Sequence, residues 1–175
     1  KGSLTINNST IISQRGMTCL STDPTSTNSV WRANQIDVSH CEDDVRPGNN
    51  SVLTNSYIHD QLGTASSHYD TCDTSTVHGN GWDIEHNTLI NNYGQTSAAW
   101  LVGNGTFKDN FLAGGSYTLY AENGPLGIEG TVLSTMIHPE GGQYGPVCPT
   151  FPFTGTWANN TWYDGPNAGQ AVAKP

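Results

Sequence analysis

The stretch Ile84-Glu85-His86-Asn87-Thr88-Leu89-Ile90 carries the pattern that decides the fold. An apolar residue is followed by two variable residues, a small polar residue that is usually Asn, a spacer and a second apolar residue. Related stretches of seven residues recur at intervals of 21 to 31 residues and begin at Ile6, Trp31, Leu53, Phe107, Ile128 and Trp157. A period of this length is typical of a solenoid, in which each repeat stacks on the next.

The repeat predicts an all-β chain folded as a right-handed single-stranded parallel β-helix, or β-solenoid, of about seven turns. Its apolar positions are expected to point inward and form ladders. The Asn is expected to occupy the corner, where a left-handed backbone is needed and stacked amides can bond to one another. A third strand recurs after the motif at 16–20, 44–46, 99–102 and 117–120. Residues 1–175 are thus interpreted as a single domain, which is also compatible with the C-terminal part of a longer solenoid.

The net negative charge of the chain limits the classes of molecule that it can bind. Fifteen acidic residues against six basic ones give a net charge of −9, whereas nucleic acid and anionic lipid are bound by clustered cations. With no apolar run long enough to span a bilayer, we expect no nucleic-acid partner and no membrane insertion. Neutral glycans suit this surface, and acidic glycans would suit it with bridging Ca²⁺. No motif requires a cofactor.

Four cysteines without a CxxC pair favour disulfides and an extracellular location, secreted or on the cell surface, over a zinc or redox site. Buried free thiols are the alternative. Cys19 and Cys41 are 22 residues apart, about one turn, so they are predicted to be bonded neighbours. That leaves Cys72 with Cys148, which requires the 138–156 loop to fold back. N-glycosylation sequons lie at Asn7, Asn8, Asn49, Asn104 and Asn159.

Several stretches resemble secreted right-handed parallel β-helix proteins of the pectin-lyase-like superfamily, namely 56–60, 84–89, 114–120 and 144–146. The resemblance implies work on uronate-rich polysaccharides by lyases, hydrolases and epimerases, or a non-catalytic adhesin. The chain departs from the enzymes of that superfamily. Of the polygalacturonase motifs only an Asp-Asp pair is present, as Asp43-Asp44. Of the pectate lyase motif Arg-x-Pro-x-x-Arg only Arg46-Pro47 remains.

The most acidic region supplies the candidate chemistry. If 44–46 and 71–73 are equivalent strands, Asp43 and Asp70 stack about 5 Å apart with His40 and His68 behind them. Asp43, Asp70 and His68 are therefore the candidate catalytic residues. Alternatively, these residues cap the turns and bond the backbone. The candidate Ca²⁺ ligands are Asp43, Asp44, Asp70 and Asp73.

Other polar and aromatic residues are candidates for contacting a glycan. His40, Arg46, His59 and Asp60 flank the acidic region. Arg46 has an equally good role as an ion-pair partner of the nearby aspartates. Trp31 and Trp157 occupy the inward ladder position, so they are assigned to the core. Trp82, Tyr117 and Tyr120 are predicted to be exposed and to stack on sugars.

Three functions follow from these features. The first is a non-catalytic extracellular module that binds or organises polysaccharide or a cell-surface glycan, or serves as a surface or fibre unit, with self-association through its open ends. The second is a polysaccharide-degrading glycoside hydrolase or lyase that uses the His/Asp cluster on adjacent turns. The third is an ice-binding solenoid, which ranks last because the Thr residues do not recur at a regular phase.

Overall fold

The structure, a computed structural model, describes residues 2–14, 17–22, 29–64, 66–76, 79–122, 125–134 and 144–175. Within them the chain forms parallel strands and one short 3-10 turn, η1 (Gly165–Asn167). The strands build a 12-stranded and a 6-stranded sheet whose order requires a crossover at every step. This is the predicted right-handed parallel β-helix.

The first face of the rod consists of the strands that open each turn. The two longest, β1 (Ser3–Ile12) and β3 (Val30–Ser39), continue around a corner onto the second face. The other first-face strands are β5 (Val52–Thr54), β8 (Asn80–Glu85), β11 (Asn104–Lys108), β14 (Gly127–Glu129) and β17 (Thr156–Ala158). Seven turns therefore contribute to this face, the number that the repeat predicts.

The second and third faces complete each turn. Besides the ends of β1 and β3, the second face contains β6 (Tyr57–His59), β9 (Thr88–Asn91), β12 (Phe111–Gly114), β15 (Val132–Ser134) and β18 (Thr161–Trp162). The third face contains β2 (Leu20–Ser21), β4 (Val45–Arg46), β7 (Asp70–Asp73), β10 (Ser97–Val102), β13 (Tyr117–Glu122) and β16 (Gly145–Val147). The predicted third strand of each turn is thus confirmed.

One residue per turn makes the corner between the first and second faces. It adopts a left-handed backbone with φ between 49° and 69° at Asn8, Gln35, Asn55, His86, Asp109, Gly130 and Asn159. The sequence pattern predicts the motif Asn at this corner, but the left-handed residue is the one that precedes it, as His86 precedes Asn87. The motif Asn is instead buried: the Asn87 backbone N–H and side-chain amide both donate to Asn110 Oδ1, at 2.9 and 3.0 Å. The predicted amide stacking is confirmed.

The main inward ladder contains Ile6, Ala33, Leu53, Ile84, Phe107, Ile128 and Trp157. In the second turn Ala33 occupies the position that the repeat assigned to Trp31. Trp31 lies two residues earlier, pairs with Leu4 and is buried, so its assignment to the core is correct although its register is not. Trp157 is half-buried and packs against the core.

Covalent and end contacts complete the rod. The predicted Cys19–Cys41 disulfide joins the first two turns. The predicted Cys72–Cys148 bond is wrong, since both thiols are free and buried. Cys72 and Val147 lie in the same ladder three strand spacings apart, about 14 Å, and disulfides span less than about 7 Å. At the other end the C-terminal segment folds over the last turn, where Trp157 Nε1 donates to Val172 O at 2.9 Å.

Candidate functional site

The predicted carboxylate pair lies on the third face of the rod. Val45 pairs with Cys72, which places Asp43 and Asp70 on adjacent strands as the sequence predicts. The Asp70 backbone N–H donates to Asp43 Oδ1 at 3.2 Å. Both aspartates are buried, which raises the pKa of each, and the like charge of the neighbouring Asp73 raises both further. The register was predictable because it follows from the spacing of the repeat.

Arg46 ties two of these aspartates together. Its guanidinium donates to Asp43 Oδ2, and its Nε lies 3.5 Å from Asp73 Oδ2. Burial raises the pKa of Asp43, and the Arg46 charge opposes that rise. The ion-pair role considered for Arg46 is therefore the one that the structure displays. Its guanidinium forms ion pairs with two carboxylates of the protein.

Asp70 has a different environment. Its carboxylate accepts a hydrogen bond from the Ser97 hydroxyl on the next turn. Burial holds the pKa of Asp70 well above its usual range, and the Ser97 hydrogen bond only partly opposes this effect. A carboxyl group with a raised pKa can hold a proton for donation near neutral pH. Asp70 therefore has the electrostatics of an acid, and no cation is paired with it as Arg46 is with Asp43.

Asp44 faces the inside of the rod. It is fully buried, and Gln61 Nε2 donates to Asp44 Oδ2, to Thr71 and to the Ile90 carbonyl. Burial raises the pKa of Asp44 well above its usual value. This carboxyl group is bonded to the corner between the second and third faces and is not available to a ligand.

His68 does not join the two carboxylates. It is exposed, and no hydrogen bond or ion pair connects it with Asp43 or Asp70. Among the described residues, no group of three or more His, Cys, Asp or Glu side chains is arranged to hold a metal ion. The four aspartates predicted as Ca²⁺ ligands are divided between Arg46, Ser97, Gln61 and, for Asp73, the Ser75 hydroxyl.

The other predicted polar contacts come together on the second face. His59 Nδ1 lies 2.8 Å from Asp60 Oδ2, and its Nε2 lies 3.2 Å from Asp37 Oδ1. The His40 backbone N–H donates to the Asp60 carbonyl at 2.9 Å. The hydrogen bond from His59 lowers the pKa of Asp60, and the charge of His59 adds a smaller effect in the same direction. These residues are around a corner from Asp43 and Asp70, so the polar candidates form two groups.

Trp82 is a correction. The sequence placed it on the surface, but its side chain is only 1% exposed. It pairs with Gly105 on the next strand, where an added Cβ would come within 2.1 Å of the indole. Its indole N–H donates to the Val102 carbonyl at 3.3 Å. Since Trp82 lies two residues before Ile84, strand alternation already placed it inward, and that signal was overlooked.

Tyr117 and Tyr120 belong to a group of five aromatic side chains on the third face, which we name the aromatic surface: Trp100, Tyr117, Tyr120, Tyr144 and Phe151. Trp100 and Tyr120 pair in register on adjacent strands, and their rings stack at 5.2 Å. Phe151 lies 6.5 Å from Trp100 and 6.0 Å from Tyr120.

The remaining two rings extend the aromatic surface toward solvent. Tyr117 lies 5.6 Å from Tyr120 at nearly a right angle and 5.7 Å from Tyr144, which is 65% exposed. Polar groups border the rings. Glu122 accepts from the Trp100 indole N–H, and Arg46 and Asp73 continue the same row of paired positions. Sequence reasoning missed Trp100, which lies between the buried Ala99 and Leu101 and so alternates outward.

Comparisons with known proteins add no relative: no protein-family model, no curated protein and no solved structure matches the chain. Across the described part of the chain, no helix has the length and apolar character needed to span a membrane. The function proposed below therefore rests on the fold and on the side chains of its second and third faces.

Proposed function

We propose that the chain is an extracellular β-helix module that binds polysaccharide along its third face without cleaving it. The observation that carries this proposal is the aromatic surface, in which Trp100 and Tyr120 stack on successive turns. Planar rings on a rigid sheet contact the C–H face of a sugar ring with little loss of side-chain entropy. Rings on successive turns suit a chain of sugars more than a single one.

The polar border of the aromatic surface supports a neutral glycan. Glu122 accepts from the Trp100 indole N–H, and the Arg46–Asp73 ion pair continues the row of Trp100 and Tyr120, so the rings have polar groups beside them that hydroxyl groups of a sugar tolerate. Arg46 is already neutralised by two carboxylates, and the chain carries a net charge of −9. A uronate polymer would meet repulsion without a compensating cation. We therefore place neutral polysaccharides first, and acidic polysaccharides bridged by Ca²⁺ second.

Membership of the pectin-lyase-like superfamily is part of the same proposal. It is supported by the parallel β-helix, by the buried asparagine ladder and by the stretches that resemble that superfamily. The Cys19–Cys41 disulfide supports an extracellular location, because such bonds persist in oxidising compartments.

A polysaccharide hydrolase or lyase is the second candidate. One observation favours it: Asp70 combines a raised pKa with a position beside the aromatic surface, close enough for its charge to raise the pKa of Tyr120. Against it, Asp70 is buried, Asp43 is bound to Arg46, and His68 stands apart. A glycosidase needs two carboxyl groups open to the substrate.

The proposal is tested by binding and turnover on a panel of β-glucan, xylan, galactomannan and polygalacturonate, with and without Ca²⁺. We expect retention on at least one neutral polymer and no new reducing ends or unsaturated uronates. Trp100→Ala and Tyr144→Ala should each weaken binding about tenfold, as the loss of one stacked ring implies. Tyr163→Ala is the matched control, because that ring is 61% exposed but lies on the second face.

The outcomes separate the candidates. Product release that disappears in Asp70→Asn would replace the binding module with the enzyme. Binding that Trp100→Ala and Tyr144→Ala leave unchanged would remove the third face as the glycan site. Melting curves of each variant show whether a loss of binding reflects a loss of folding.

A further inference from the structure

A groove of about 540 Å³ follows the outside of the corner between the first and second faces. It extends over the first four turns of the rod, and its volume falls in the range of ligand sites, about 300–1,000 Å³. We name it the corner groove. Side chains that line it include Asn8, Gln35, Asp37, Asn55, Tyr57 and Thr88.

Two columns of side chains form the corner groove. The left-handed corner residues supply amides from Asn8, Gln35 and Asn55, one per turn. Two positions further along each strand, the outward column contains Thr10, Asp37, Tyr57 and Thr88. Hydroxyl and amide groups thus repeat at the strand spacing of about 4.8 Å. A repeating array of donors and acceptors suits a repeating, hydroxyl-rich ligand.

The aromatic element of the groove is held in place. Tyr57 is 42% exposed. One face of its ring stacks on the His59 ring, with 3.9 Å between the centroids and 14° between the planes, and the opposite face is turned away from His59. His59 is fixed in turn by Asp37 and Asp60. The Asn92 side-chain amide donates to Asp60. One face of Tyr57 is therefore presented in a fixed orientation, which lowers the entropy cost of binding.

We propose that the corner groove is a second carbohydrate-binding site for a neutral glycan, which makes the rod bivalent. This inference rests on the proposed function, since it assigns a second site for the same class of ligand. Among the described residues that line the groove there is no Lys or Arg, and Asp37 contributes a negative charge. These charges disfavour an acidic glycan. The hydroxyl groups of a neutral glycan can bond to the amide, hydroxyl and carboxylate groups of the groove.

The two sites can be occupied at once. The corner groove lies at the first corner of turns one to four, and the aromatic surface occupies the third face of turns four to six, with no residue in common. Two sites on different faces bind two polymer chains, or two distant segments of one. A bivalent rod therefore cross-links polysaccharide and gains avidity, whereas a rod with one site does neither.

The test compares affinity electrophoresis, which measures binding, with light scattering, which measures cross-linking, for soluble β-glucan, xylan and galactomannan. Four variants are needed: Tyr57→Ala, Trp100→Ala, the double variant and the control Tyr163→Ala. We expect the wild type and Tyr163→Ala to bind and cross-link. Each single-site variant should still be retarded but lose cross-linking, and the double variant should lose both. Melting curves verify that each variant is folded.

Each other outcome overturns a different statement. If Tyr57→Ala cross-links like the wild type, or if Trp100→Ala alone abolishes binding, the groove is not a glycan site and the third-face proposal stands. If Tyr57→Ala abolishes binding and Trp100→Ala has no effect, the groove is the only site and the third-face proposal is wrong. If none of the three polymers retards the wild type, the proposed function fails and the second site with it.

Discussion

A carboxyl group inside the rod loses the solvation that a charge requires. Asp44 is fully buried, its Oδ2 accepts from Gln61, and its Oδ1 has no hydrogen-bond partner among the described residues. Burial therefore raises the pKa of Asp44 well above its usual value. Above that pKa the folded chain carries an ionised group in a poor environment, and this lowers the free energy of unfolding.

Asp44→Asn should raise the free energy of unfolding at pH 8 by about 1–2 kcal/mol, because a neutral amide accepts the Gln61 bond without a buried charge. Urea titration followed by circular dichroism measures the change. Asp60→Asn is the control, since Asp60 is exposed and its pKa is lowered by His59, so that variant should lose stability slightly. A drop of more than about 1 kcal/mol for Asp44→Asn would show that the ionised group is well solvated.

At the scale of elements, the asparagine ladder holds the strands of neighbouring turns together. Asn110 accepts from the Asn87 backbone and side chain and donates to the Ile84 carbonyl at 2.8 Å. Every group in this set is buried. A buried donor without an acceptor costs the full free energy of its desolvation. The ladder therefore stabilises the corner mainly because each Asn supplies an acceptor to the buried donors of its neighbour.

Asn110→Ala should therefore lower the free energy of unfolding by about 2–4 kcal/mol, since it takes the buried acceptor from the Asn87 backbone N–H and side chain and a donor from the Ile84 carbonyl. Denaturant titration measures the effect. Asn7→Ala is the matched control, because Asn7 is an exposed Asn on the same kind of strand and should change stability by less than about 0.5 kcal/mol. Equal effects in the two variants would contradict the proposed role of the ladder.

The repeat predicts the register of six of the seven turns, because one apolar residue per strand is enough to align parallel strands. The second turn is shifted by two residues, since Trp31 and Ala33 both point inward and a period of two cannot choose between them. Trp82 has the same parity as Ile84, so alternation places it inward and its predicted surface position is wrong. Tyr144 and Phe151 could not be placed, because they lie outside the repeated motif and reach the third face only through the path of the chain.

For the molecule as a whole, buried carboxyl groups set the pH dependence of stability. The pKa values of Asp43, Asp44 and Asp70 are raised, chiefly by burial. Their contribution to stability is fully present below the unfolded value, about 3.9, and is lost as pH rises through the folded pKa values. Asp60 has the opposite sign, so its contribution is lost as pH falls through its lowered pKa.

The melting temperature should accordingly be highest in mildly acidic solution and fall toward pH 8, by about 2–4 °C for each kcal/mol lost. Scanning calorimetry between pH 3 and pH 9 measures this profile. Asp44→Asn should make the alkaline side flatter without changing the acid side. A melting temperature that rises steadily from pH 5 to pH 8 would contradict this account of the three buried carboxyl groups.

The Cys19–Cys41 disulfide also has a mechanical consequence. Tension on the N-terminus along the rod axis would peel β1 from β3 one hydrogen bond at a time, which resists force less than shearing all the bonds together. Peeling stops at Cys19, where the load passes through the covalent bond to Cys41 in the second turn. The chain between the two cysteines then lies outside the load path, so the disulfide shields that part of the second turn from extension.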